Sequence, residues 1–186
     1  GIRKRLIEYD DVMNAQREVV YTRRRHALYG ERLAIDVNNM LFDTCESLVQ
    51  QHLATGDYEG LKLELLRVLS IECPVAENEF QGGKEAVITE KVFHEAQRYY
   101  RHKSQMVIDK TRDFIHDVYE KQRATIQNIV IPFTDGLKGI QVIANLNRCY
   151  ESGGRELINA FEKSIISAMI DDAWKEHLRE MDDLKQ

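Results

Sequence analysis

Proline stands at only two positions, Pro74 and Pro132, and that scarcity constrains the fold more than any other feature. Proline removes a backbone donor and breaks helix interiors, so a chain nearly free of it can hold long uninterrupted helices. Apolar residues spaced by three and four fill the stretches between the prolines, which predicts a mainly α fold. Ile2, Leu6, Tyr9, Met13, Gln16, Val20 and Ala27 form one stripe. It predicts a helix over 2–29, about 42 Å long at 1.5 Å per residue, with Gly30 as its break. Such a rod is longer than a compact domain of this size needs.

Leu33, Val37, Met40, Leu41, Cys45, Leu48 and Val49 predict a second helix ending near Gly56. Leu61, Leu65, Leu66 and Leu69 predict a short third one, closed by Cys73-Pro74. The string PVAENEFQGGKEA reads as a polar loop. Thr89 reads as the cap of a fourth helix, with Phe93, Tyr100, Val107 and Phe114 as its core stripe and an end near Arg123. The period then changes. IQNIVIPF (126–133) and IQVIANL (140–146) are β-rich, and TDGLKG between them supplies a turn, so a β-hairpin is expected. Pro132 makes its strand an edge. ESGGRE (151–156) is the clearest linker. A last helix from about Arg155 carries Ile166, Ile170, Ala173, His177, Met181 and Leu184 on one stripe.

Hydrophobic residues make up 43% of the chain and charged ones 31%, the balance of a soluble, mostly helical protein. No apolar run approaches the roughly 20 residues that span a bilayer, and GIRKRLIEYDD lacks the apolar core of a signal peptide. The three cysteines are widely spaced with no C-x-x-C pair. This points to reduced thiols in a cytosolic setting and argues against a cysteine-based zinc site. Residues 1–30 carry seven Lys/Arg against four Asp/Glu, and residues 155–186 carry five against eight. The two ends are therefore oppositely charged.

Candidate chemistry is sparse. His177 and Glu180 share a helix face, as in the Glu-x-x-His pairs of helical di-metal proteins, but the only comparable pair is Asp113 with His116. A set of inward carboxylates to go with them is missing, so the closing carboxylates read as an acidic helix face. Asp10 and Asp11 are neighbours on a helix, about 100° apart, and cannot share one substrate atom. Arg23, Arg24 and Arg25 could touch phosphate, yet the net charge of −5 argues against nucleic acid. No G-x-x-x-x-G-K-[ST] loop is present, and Gly82-Gly83-Lys84 follows no apolar strand. On residues alone the chain reads as a scaffold or interaction module. A free-standing metal-binding or nucleic-acid-binding helical bundle is the alternative.

Two stretches carry a resemblance. IRKRLIEYDDVMNAQREVVY (2–21) and WKEHLREMDDLKQ (174–186) closely resemble segments of the SecA family, the ATP-driven motors of bacterial preprotein translocation. The likeness is strong over about 2–33 and 158–186. The family commonly has an aromatic residue and an arginine where this chain has Asp183 and Lys185, and the hairpin near 126–146 is not a feature of its better-known members.

The resemblance implies a helical scaffold over 1–33, a helical wing over 34–154 carrying the hairpin, and a second scaffold part over 155–186. The last would be the first helix of a two-helix finger, and both terminal helices would continue beyond the given chain. Tyr9, Asp10, Asp11, Asn14 and Arg17 would dock the nucleotide-binding and preprotein cross-linking domains of the same parent chain. Lys175, Glu176, Arg179, Asp182 and Asp183 would form the finger side facing the SecYEG channel or the preprotein. Trp174, with His177 and Met181, would be a structural anchor against the first helix, near Leu6, Tyr9 or Met13. ATP and magnesium would belong to the parent protein, which is expected on the cytoplasmic face of the bacterial inner membrane. This segment is expected to hold no cofactor, no metal and no catalytic residue of its own.

Overall fold

The computed structural model describes residues 33–185, without the side chains at 170, 171, 173, 174, 177, 178 and 181–185. The expected helix over 2–29 lies outside the described residues. The rest is mainly helical with one small sheet. In order come α1 (Leu33–Thr55), α2 (Tyr58–Glu64) with a π-helical turn (Leu65–Leu69), α3 (Glu77–Phe80), α4 (Glu85–Gln122), β1 (Asn128–Thr134), β2 (Gly139–Asn145), α5 (Leu146–Glu151) and α6 (Arg155–Lys185). Ile35–Asp117 forms one compact unit, and the described residues from Val118 on belong to a second.

The first unit is built around aliphatic residues from four helices. Cys45, Leu48 and Val49 of α1 pack with Leu61, Leu65, Ile71, Val75, Phe80, Ile88, Val92 and Ala96. Four local expectations need correction here. The string after Pro74 contains α3, whose Phe80 is fully buried and lies 5.4 Å from the Tyr58 ring. The polar residues around Phe80 hide an anchor: a phenylalanine has a large area to remove from water, and four helical residues suffice to aim it inward. Gly83 follows, where an added Cβ would lie 2.2 Å from the Glu79 carbonyl oxygen.

Thr89 is no cap. The Lys84 carbonyl accepts from the N–H groups of Val87 and Ile88, both at 3.1 Å, so α4 has already begun when Ile88 enters the core. Thr89 is 2% exposed, and its hydroxyl has no hydrogen-bond partner among the described residues. The heptad stripe of α4 holds only in part: Phe93 packs against the core, but Ile88, Thr89, Val92, Ala96, Ser104, Ile108 and Ile115 are the buried positions and Phe114 is half exposed. The third helix ends at Ser70, not at the proline. Ser70 takes the left-handed conformation at φ 56°, and its N–H reaches the Leu66 carbonyl.

In the second unit the hairpin forms as expected. β1 and β2 pair antiparallel, with Ile131 opposite Val142 and Pro132 opposite Gln141. Asp135 closes the turn, its Oδ1 accepting from the N–H groups of Leu137 (2.9 Å) and Lys138 (2.7 Å). These bonds stabilise the carboxylate and hold its pKa below the ordinary aspartate value. Ile129, Val142 and Ala144 are buried on one face, while Val130 and Ile143 are exposed on the other, the alternation a half-buried sheet requires. α5 was not foreseen. Asn145 caps it, accepting from the Arg148 N–H at 3.0 Å.

Candidate functional site

The last helix is the element on which the sequence placed most of its candidates, and its first turns are firmly mounted. A turn over 152–154 separates it from α5, and the Ser152 hydroxyl accepts from the Glu156 N–H at 3.0 Å. Leu157, Ile158, Ala160 and Ile166 are then buried, in company with Leu146 and Cys149 of α5. β2 and α5 both pack on α6, and Phe133 of β1 meets Phe161 at 4.7 Å. Tyr150 of α5 stacks on Tyr119 near the end of α4, with ring centroids 3.7 Å apart and planes within 4°. The Arg123 guanidinium lies over the Tyr119 ring. The hairpin and α5 together thus form a socket for the start of α6.

Further along, one face is bare. Ala168, Met169, Asp172, Lys175, Glu176, Arg179 and Glu180 are all exposed, and their spacings of three and four keep them within one strip. Its signs alternate. Arg179 reaches Glu176 at 3.2 Å, with both side chains more than half exposed, so the pair contributes under about 1 kcal/mol. Such a strip can meet a partner carrying either charge without first breaking a strong internal contact. Among its described residues there is no nucleophile beside a base.

Lys175, Glu176 and Arg179 therefore stand together as expected of one helix side. Asp182 and Asp183 lie on the same helix, as do Trp174, His177 and Met181, but their side chains are outside the described set. Tyr9, Asp10, Asp11, Asn14 and Arg17 are outside the described residues altogether. Met169, half exposed, joins the strip although the sequence reading gave it no role; its place three residues before Asp172 was the available signal. Asp113 and His116 are both exposed on α4. Among the described residues no group of three or more His, Cys, Asp or Glu is placed to hold a metal, and no helix is long and apolar enough to cross a membrane.

The thiols separate cleanly. Burial pushes the pKa of Cys45 and of Cys149 up to about 11, because desolvation disfavours the thiolate, which is the reactive form. Cys73 is only half-buried, and its Sγ lies 3.4 Å from the Val75 carbonyl oxygen. In the native protein at pH 7.5, Cys73 should be alkylated at least tenfold faster than the other two, the margin set by their small thiolate fraction. Mass spectrometry of iodoacetamide-treated protein checks this; equal rates at all three would contradict the burial described.

Comparison with known proteins completes the picture. The family description "SecA Wing and Scaffold domain" matches residues 1–186. A relative named "Protein translocase subunit SecA" from Flavobacterium psychrophilum is 47% identical over 186 residues, all of this chain and 17% of the relative. Proteins of the same name from Porphyromonas gingivalis and Bacteroides thetaiotaomicron are 45% and 47% identical over 185 residues. The chain spans about a sixth of the length of these curated relatives. No solved structure matches it.

Proposed function

The chain belongs to the SecA family as its wing and scaffold segment, and on that premise we propose that it transmits motion from an ATP-driven motor to a preprotein in transit. The single observation that supports this best is the family match along all 186 residues. The mechanical part is supported by α6, a helix held at its start by a buried core and, among its described residues, bare along one side beyond Ile166. A rod fixed in this way can carry movement from its socket to its far end, since α6 contains no proline or glycine to kink it sharply.

In this reading Lys175, Glu176, Arg179, Asp182 and Asp183 face the SecYEG channel or the preprotein. Trp174, His177 and Met181 anchor the same helix against the scaffold. Tyr9, Asp10, Asp11, Asn14 and Arg17 dock the nucleotide-binding and preprotein cross-linking domains of the parent chain. Residues 1–33 and 155–186 are the two scaffold parts, and 34–154 the wing. ATP and magnesium are held by the parent's other domains. The work takes place at the cytoplasmic face of the bacterial inner membrane.

A photoreactive side chain at position 175 or 179 of the full-length protein tests the assignment. With a secretory chain arrested midway, it should cross-link to the channel or to the arrested chain, whereas the same probe at Gln105 on α4 should not. Equal labelling from both places, or none from α6, would contradict it.

A further inference from the structure

The hairpin has two outer edges, and they are not alike. Bonds at its two ends fix which backbone groups face outward: the Asp135 N–H donates to the Lys138 carbonyl (3.2 Å), and the Leu146 N–H to the Gln127 carbonyl (2.9 Å). With the observed register, bonded and non-bonded pairs must alternate between these ends. Residues 129, 131 and 133 of β1 therefore bond β2, while 128, 130, 132 and 134 point outward. On β2, residues 140, 142 and 144 bond inward, and Gly139, Gln141 and Ile143 point outward. Pro132 thus falls at an outward position, where its missing N–H weakens no ladder bond but leaves the β1 edge unable to accept a further strand.

The β2 edge has no such guard. Natural sheet edges are usually protected by proline, charge or a bulge, and GIQVIAN contains none of them. Gln141 is exposed and Ile143 is 64% exposed. Among the described residues no backbone or side-chain group bonds their outward N–H and C=O groups. We propose that the free edge of β2 is a strand-addition site for an extended, unfolded polypeptide. The identity of that occupant rests on the translocation reading above. Main-chain pairing is indifferent to sequence, which suits a protein whose cargo shares no common sequence. The size of the edge argues against a second copy of this chain. Seven strand residues span roughly 23 Å, and a strip one strand wide falls well short of the roughly 1,200 Å² of a stable protein interface. A short strip that binds and releases fits a chain in passage.

Amide hydrogen exchange on the full-length protein tests this, with a reduced, carboxymethylated polypeptide as the permanently unfolded probe. Adding it should slow exchange at Gln141 and Ile143 about tenfold, the scale of one added backbone hydrogen bond, and leave Val130 unchanged. Ile143→Pro removes an outward donor without touching the ladder and should abolish the protection at Gln141. Val130→Pro makes the same change on the edge that Pro132 already blocks and should leave that protection intact. No slowing at Gln141 and Ile143 in the unaltered protein overturns the proposal, whatever becomes of the variants. So does slowing that rises with protein concentration without the probe, which would mean a second copy. ATP-driven transport measured on the same protein separates the two readings: transport without edge protection defeats the edge alone, and absence of transport defeats the motor reading beneath it.

Discussion

Replacing Phe80 by alanine is expected to lower stability by about 3–5 kcal/mol, the range for emptying a buried aromatic site. The ring is fully buried and sits among Leu61, Leu65, Val75, Ile88 and Val92 in the central cluster of the first unit. Its neighbour Tyr58 is pinned by a hydroxyl bond of 2.5 Å to the Val75 carbonyl, so the walls of the hole cannot easily close in. Gly83 stands against the Glu79 carbonyl, which limits collapse of α3 from the other side. Urea unfolding followed by circular dichroism measures the loss. A cost below about 1 kcal/mol would mean that Phe80 is not the anchor of α3.

A second large effect is expected from Val142→Asp. Val142 is fully buried on the inner face of β2, and among the described residues of the second unit none of the buried ones is charged. A carboxylate there would have no buried cation to pair with among the described residues, and stranding a buried charge costs about 3–5 kcal/mol. Desolvation raises the pKa of such a group in the folded state only. The penalty should therefore be largest at neutral pH and shrink as pH falls through that raised value, because the neutral acid is cheaper to bury. Val142→Asn, which cannot ionise, should show a smaller loss that does not vary with pH. Unfolding midpoints of both variants at pH 7 and pH 5 decide the matter; matching pH dependence would contradict the buried-charge mechanism.

How far the fold could be read depended on how much each element announced itself. The helix over Leu33–Thr55 and the hairpin were legible because period and turn chemistry agreed, with Thr134-Asp135-Gly136 between two alternating strands. The short helix of Glu77–Phe80 was not, because one buried phenylalanine in a polar string has no period. The six residues of α5 likewise escaped, although Asn145 carried a cap signal within what read as strand. Thr89 was misread because threonine suits both a cap and a helix interior, and only the position of Ile88 in the core separates the two. Ser70 defeated the expectation that glycine or proline ends a helix, since it adopts a left-handed conformation that L residues seldom take. On α6 the exposed strip could be read from spacing alone, as Asp172, Lys175, Glu176, Arg179 and Glu180 show. Spacing says which residues share a side, but it cannot name the partner that meets them.

The most direct measurement of the proposed role is the ratio of ATP hydrolysed to protein transported by the full-length protein. Asp11→Asn and Arg17→Ala would be compared with the unaltered protein, using membrane vesicles that contain the channel. If this segment couples motor to cargo through that surface, both variants should retain basal hydrolysis within about twofold. Transport should fall by roughly tenfold or more, the effect of a lost coupling free energy of about 1.4 kcal/mol. Normal transport per ATP in both variants would contradict the coupling role.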